Sequence, residues 1–247
     1  MTVLIVGSAA LFVAGLAQGC TGFGMAILAT PFLMLMMPPA LAAPIIWILS
    51  TPNTMLVAWD ARKYIRPGLF GPLAMGGMLG IPFGVTALER MDPSVLKLGV
   101  GLFTAAFAAA LLAGWRRPLR DAAWIRGLVG LVSGFTGGST SMGGPPIILF
   151  LSNQNTDKDV FRANIVCHFF LINCVAIGTA YWKGMLSTQL GIYALSFAPA
   201  MAVGTFLGMR LSRRVSEAGF QRLVVASALA MGLLLIVTAA RALAMAG

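Results

Sequence analysis

Charge is what this chain of 247 residues has least of. Only 10% of its residues are Asp, Glu, Lys or Arg, where soluble domains average roughly 25%. So few charges cannot cover a globular surface, which excludes an ordinary soluble domain. The seven acids are Asp60, Glu89, Asp92, Asp121, Asp157, Asp159 and Glu217, and all fall between apolar runs or at their ends. A cation carrier usually buries a carboxylate on its pathway, and no run contains one. One histidine and three cysteines, with no CxxC and no Cys/His cluster, leave no metal pattern. No cofactor is expected, and the cysteines read as small buried hydrophobes. HExxH is missing, paired acids inside a run are missing, and no acid is placed to orient a Ser/His pair, so an enzyme is not expected. No strand precedes the glycine-rich strings and no GK[ST] follows, which excludes a phosphate loop.

Hydrophobic residues, by contrast, make up 59% of the chain. The apolar segments are 2–37, 40–58, 68–88, 95–113, 125–152, 160–182, 187–209 and 219–245. Six have about the length of one crossing, roughly 20 residues of helix. Period-two alternation is absent, which disfavours a β-barrel. The reading is an all-α polytopic membrane protein. The net charge of +10 does not point to nucleic acid, because the basic residues sit in short loops with no stripe among aromatics. No Lys or Arg precedes the first run, against a cleavable signal peptide. Trp47, Trp59, Trp115, Trp124 and Trp182 read as interface anchors.

The segments 2–37 and 125–152 are too long for one crossing, and each is interrupted. The first holds GLAQGCTGFGMAILATP (15–31) and the second GLVSGFTGGSTSMGGPP (130–146). At an offset of 115, Gly15, Leu16, Gly19, Thr21, Gly22 and Pro31 match Gly130, Leu131, Gly134, Thr136, Gly137 and Pro146. Basic residues indicate how the broken segments run. If each returns to the side it entered from, one side holds Arg62, Lys63, Arg66, Arg116, Arg117, Arg120, Arg126, Lys158, Arg162, Arg210, Arg213, Arg214 and Arg222. The other holds only Arg90, Lys97, Lys183 and Arg241. The positive-inside rule favours that arrangement and puts both termini outside the cytoplasm. Each half is then a broken, re-entrant helical hairpin followed by three spans. The first repeat is 1–118, with hairpin 2–37, and the second is 119–247, with hairpin 125–152. Three spans is an odd number, so the repeats have inverted topology, a plan common among secondary transporters.

Breaks inside a membrane expose backbone groups that lipid cannot satisfy, so they belong in protein or in a wet cavity. Glycine permits close approach of a ligand, and helix N-termini favour anions. The candidate substrate-binding residues are Gln18, Gly19, Thr21, Gly22, Phe23 and Gly24 in the first break. Those of the second are Thr136, Gly137, Gly138, Ser139, Thr140 and Ser141. Asn53 and Asn173, at similar depth in the span after each hairpin, join them. Such polar groups also serve helix-to-helix hydrogen bonds, and glycines also serve close packing. Gly76, Gly80 and Gly84, and Gly204 and Gly208, are four apart and read as packing faces. His168, with Asn164 four residues earlier on the same face, is a candidate for coupling or gating; a hydrogen-bonded structural histidine is the alternative. Arg162 either draws an anion to the inner mouth or snorkels to headgroups.

QGCTGFGMAILATPFL, GFTGGSTSMGGPPIILFL and FRANIVCHFFLIN together resemble the sulfite exporter TauE/SafE family. The resemblance implies a bacterial inner-membrane transporter that hydrolyses no ATP. Its implied substrate is sulfite, an organosulfonate or a related sulfur oxyanion or organic acid. The site is expected at the midplane between the two broken hairpins. An anion-selective channel and a carrier of a non-sulfur small carboxylate are the alternatives. Expected partners are the small anion and the bilayer, with protons as a candidate coupling ion and a homodimer left open. The topology predicts that a reporter active only in the cytoplasm stays silent when fused after Gly247; an active fusion would contradict it.

Overall fold

The computed structural model describes residues 2–21, 24–114, 122–152, 154, 157–211 and 217–246. Among them the regular structure is helical and no strand occurs. The helices are α1 (Thr2–Thr21), α2 (Gly24–Met36), α3 (Pro39–Ala61), α4 (Pro67–Arg90), α5 (Pro93–Leu112), α6 (Ala123–Thr140), α7 (Gly144–Ser152), α8 (Lys158–Trp182), α9 (Thr188–Leu211) and α10 (Glu217–Ala246). A 3-10 turn, Arg62–Tyr64, follows α3. Five stretches are long and apolar enough to cross a membrane: Pro67–Arg90, Pro93–Leu112, Ala163–Trp182, Thr188–Leu211 and Val225–Met245.

Local chemistry sets the helix ends. Pro39, Pro67 and Pro93 open α3, α4 and α5, where a missing N–H costs nothing. Asp92 caps α5 by accepting from the Ser94 N–H at 2.7 Å, which accounts for one acid at a span end. Gly114 and Gly184, just past α5 and α8, adopt φ of +64° and +67°, the left-handed turn that closes a helix with little strain.

The chain forms two compact units, and the boundary between them falls inside α3. Unit 1 is Met1–Ile46, Met91–Trp115 and Ser187–Gly247; unit 2 is Trp47–Arg90 and Arg116–Leu186. Each unit therefore draws helices from both halves of the chain. In unit 1, α1 packs on α9 through facing glycines. A β-carbon at Gly15 would lie 2.5 Å from the Met201 carbonyl oxygen, and one at Gly204 would collide with the Phe12 carbonyl. In unit 2, α6 packs on α4 in the same manner. A β-carbon at Gly76, Gly80 or Gly84 would collide with the carbonyl of Gly127, Leu131 or Phe135. From α6, Gly130 and Gly134 press on the carbonyls of Leu73 and Gly77. Small residues let the two backbones touch, the usual basis of helix association in lipid. The faces turned away from these seams are apolar and exposed, with Phe83 68% and Leu195 79% accessible. That suits lipid rather than water.

Helix directions in unit 2 follow from these contacts. Contact partners on α4 and α6 rise in number together, so the two helices run parallel. Ahead of α4 and α8, Arg66 lies 3.4 Å from Asp157, and at their far ends Lys183 lies 2.6 Å from Glu89. Hence α8 is parallel to α4 as well. Pairs this exposed contribute little stability, but they mark register. Because α6 starts at the end where α8 starts, α7 returns to the end from which α6 set out. The α6–α7 segment is thus a hairpin within its unit.

Three expectations need correction. Trp47 is not an interface anchor: it is fully buried, whereas Trp59, Trp124 and Trp182 are exposed near helix ends as anchors require. Trp115 lies outside the described residues. Cys174 is exposed on an apolar helix rather than buried, while Cys167 is buried; the side chain of Cys20 lies outside the described set. The breaks also do not coincide under the offset of 115. The first helical break follows Thr21, which maps to Thr136, yet α6 continues to Thr140. The tandem Pro145–Pro146 explains the shift, since two missing N–H groups stop a helix that the single Pro31 leaves intact inside α2.

The glycine seam makes a direct prediction. Gly80→Leu should destabilise the protein by about 3 kcal/mol or more, the upper end of overpacking costs. Gly99→Leu, at an exposed α5 position with nothing within 4 Å of the added carbon, should change stability by less than about 1 kcal/mol. Thermal unfolding in detergent distinguishes the two.

Candidate functional site

The second break lies in unit 2 and its geometry can be built atom by atom. Helix α6 ends at Thr140, and Ser141 turns left-handed with φ 63° and ψ 4°. The Ser141 N–H donates to the Gly137 carbonyl at 2.9 Å, closing the helix. Gly143 then leads into α7, whose first turn carries Pro145 and Pro146. A helix leaves its first four N–H groups without internal partners. Pro145 and Pro146 have no N–H to offer, so two of these are absent. The N-terminus of α7 is therefore a sparser donor set than a glycine-rich break suggests.

Side chains deal with the carbonyls. Trp47, on α3, donates its indole N–H to the Gly137 carbonyl at 2.9 Å. Ser133, two turns before the break on α6, donates its hydroxyl to the Gly143 carbonyl at 2.5 Å. The same hydroxyl lies 3.1 Å from Nε2 of His168 on α8. A hydroxyl has one hydrogen, and the Gly143 carbonyl can only accept, so His168 Nε2 carries the proton in that contact. His168 is fully buried. Its ring rests on α4 at Gly77, where a β-carbon would lie 2.6 Å from the ring Cε1. Gly77, Ser133 and His168 each lie ten residues from the start of their helix, about 15 Å along it. They therefore form one layer across α4, α6 and α8.

The candidate residues divide into groups. Thr136, Ser139 and Thr140 donate their hydroxyls to the carbonyls of Val132, Phe135 and Thr136, one turn back on α6. So placed, these hydroxyl hydrogens serve the helix. Gly19 and Gly138 are packing positions, the first against the Thr205 carbonyl and the second 2.6 Å from the Ile81 carbonyl. Gly137 is different, for its added carbon would meet only the tip of Ile172 at 3.2 Å and Gly143 at 3.5 Å. Asn173 donates to the Ser50 hydroxyl at 2.9 Å, tying α8 to α3; Asn53, on α3, is half-buried. Asn164 is buried, and its amide N–H donates to the Val160 carbonyl at 2.7 Å. Its Oδ1 and His168 Nδ1, one turn apart, have no hydrogen-bond partner among the described residues.

In unit 1, Gln18 is buried near the end of α1 and its Oε1 has no hydrogen-bond partner among the described residues. Gly22 and Phe23 lie outside the described residues, as do the side chains of Thr21, Gly24 and Arg162. Sequence reading missed Trp47 as a site residue, and Ser133 and Gly143 altogether. Ser133 carried no stronger signal than a hydroxyl in an apolar run. Among the described residues, no three His, Cys, Asp or Glu side chains gather as metal ligands.

A helical chain with several lipid-length apolar spans and a broken hairpin with a charge-free interior defines a multi-pass membrane protein. The chain belongs to the sulfite exporter TauE/SafE family, whose model matches residues 8–235, and this is a family of membrane transporters. No curated protein and no solved structure matches it.

The contrast between neighbouring glycines yields a test. Gly137→Leu should stay folded, within about 2 kcal/mol of the wild type, because Ile172 can give way. Its transport should be lost, because the new side chain fills the break. Gly138→Leu should instead lose the fold, being driven into the Ile81 carbonyl. Unfolding temperature and transport by the purified variants check both outcomes.

Proposed function

We propose that the protein is a secondary transporter of a small anion, with sulfite, an organosulfonate or a related sulfur oxyanion as substrate, in the bacterial inner membrane. One observation carries this reading. The hairpin α6–α7 enters and leaves at one end of its unit, and side-chain donors hold two carbonyls of its break with no acid among the residues of the hairpin. No Asp, Glu, Lys or Arg occurs in 67–88 of α4, in 127–152, or in 163–182 of α8. The layer holding Ser133 and His168, about 15 Å along its helices, corresponds to the middle of a hydrocarbon core of about 30 Å. The start of α7, tied to Ser133 through the Gly143 carbonyl, lies at that depth, and an uncharged helix N-terminus there suits a permeating anion and gives a cation no carboxylate to pair with.

The same reading places the end bearing Arg62, Lys63, Arg66, Arg126, Lys158 and Arg162 in the cytoplasm and both termini in the periplasm. It takes the halves 1–118 and 119–247 as inverted repeats. The reciprocal pairing supports that: the first helix of each half packs on the fourth of the other, α1 on α9 and α6 on α4. Each break would present main-chain N–H groups to the anion. The candidates for this role are Gln18, Thr21, Gly22, Phe23 and Gly24 in the first and Gly137 and Ser141 in the second. Asn53 and Asn173 would support α3 and α8 beside the second.

The test uses purified protein in proteoliposomes with sulfite, an alkyl sulfonate, thiosulfate and small carboxylates. Saturable uptake of a sulfur anion, with counterflow on preloading, is the expected result. Uptake confined to carboxylates would move the substrate class. Large conductance with neither saturation nor counterflow would make the protein a channel.

A further inference from the structure

Breaking a helix frees donors and acceptors alike. The N–H groups that open α7 favour an anion, while the carbonyls that end α6 and cross the gap repel it. A break binds anions only if the carbonyls are held elsewhere. At the second break, the Gly137 carbonyl receives both the Ser141 N–H at 2.9 Å and the Trp47 indole N–H at 2.9 Å. The Gly143 carbonyl receives the Ser133 hydroxyl at 2.5 Å. Ser133 is in turn oriented by His168, because the imidazole N–H occupies the hydroxyl's lone pair and leaves its hydrogen for Gly143.

We propose that Trp47 and the Ser133–His168 pair are positioning residues for anion binding: they turn the Gly137 and Gly143 carbonyls away from the permeating anion. The inference rests on the transport reading above. His168 acts through Ser133 and does not touch the substrate. Its surroundings favour this role over proton transfer. The elements packed on it are α4 and α6, through Gly77 and Ser133; α4 has no titratable group within two turns of Gly77, and on α6 the nearest is Arg126, seven residues before Ser133. On α8 itself the near neighbours are Asn164, Phe169 and Ile172, with the thiol of Cys167 adjacent in sequence, Cys174 and Tyr181 further along, and no Asp, Glu, Lys or Arg between 163 and 182. Gly77 is part of the device, since any side chain there would displace the imidazole from Ser133.

The chain has one histidine, so a single imidazole signal reports the clasp. In the full-length protein labelled with 15N-histidine in lipid bilayers at pH 7, the hydrogen should sit on Nε2, and Ser133→Ala should shift that resonance. A hydrogen on Nδ1 would overturn the proposal. In proteoliposomes, Ser133→Ala, His168→Leu and Trp47→Phe should each raise KM for sulfite roughly tenfold, with Vmax changed less than about threefold. His168→Gln, whose amide N–H reaches the region of Nε2, should recover KM to within about threefold of wild type and keep the wild-type response to a pH gradient. Wild-type KM in Ser133→Ala would overturn the proposal. So would a His168→Gln variant that moves sulfite downhill but ignores the gradient, since that marks a proton carrier. A wild type that moves no anion would remove the transport reading, while the tautomer measurement would still decide whether the clasp exists.

Discussion

Inside a bilayer every backbone N–H and C=O must find a partner within the protein. An unpaired amide group moved into an apolar medium costs roughly 2–7 kcal/mol. A hairpin that breaks its helix inside the bilayer is tolerable only if the protein supplies the missing partners. In unit 2 they do so with three side chains from three helices: Trp47 from α3, Ser133 from α6 and His168 from α8. None is an Asp, Glu, Lys or Arg, so the break is held without a permanently charged side chain in the membrane. What remains, the Gly137 and Gly143 carbonyls engaged and the N-terminus of α7 opening at the gap, is what suits the site to an anion.

The rest of unit 2 brings those three side chains within reach. Gly76, Gly80 and Gly84 allow α4 to lie backbone-to-backbone along α6, and Gly77 admits the imidazole into the same seam. The ion pairs Arg66–Asp157 and Lys183–Glu89 mark the two ends of the parallel α4 and α8. Glycine thus has two separate duties in the repeated motif. Gly15, Gly19, Gly130 and Gly134 serve close packing, whereas Gly137 lends a carbonyl to the turn that ends α6. Unit 1 repeats the packing duty with α1 on α9.

Helix positions could be read from the sequence because hydrophobic length and proline–glycine punctuation act locally. The long single segments agree with the helices within three residues at each end. The seam glycines, four apart, were readable for the same reason. The position of the second break was not. Candidates from Thr136 to Ser141 span the turn at Ser141 but do not single it out, because a pattern match with Thr21 weighs Gly137 and Gly138 but not the stronger effect of Pro145–Pro146. His168 was recognisable as unusual, yet its partner Ser133 is 35 residues away and its seat, Gly77, 91 residues away. Trp47 looked like an anchor because residue type alone does not say whether an indole faces lipid or a freed carbonyl. Thr136, Ser139 and Thr140 looked like ligand donors, but a hydroxyl on a helix often bonds the carbonyl one turn back.

The account depends most on α6–α7 turning back within the membrane rather than crossing it. Side-specific labelling tests this directly. With Cys20, Cys167 and Cys174 replaced by alanine, single cysteines are placed at Trp124, at Asp157 and at Glu89. Each is then exposed to a membrane-impermeant thiol reagent in right-side-out and in inverted vesicles. Cysteines at 124 and 157 should label from the same side, the inner one, with 89 labelling only from the other. Labelling of 124 and 157 from opposite sides would mean that the segment crosses once, and the broken-hairpin site would have to be abandoned.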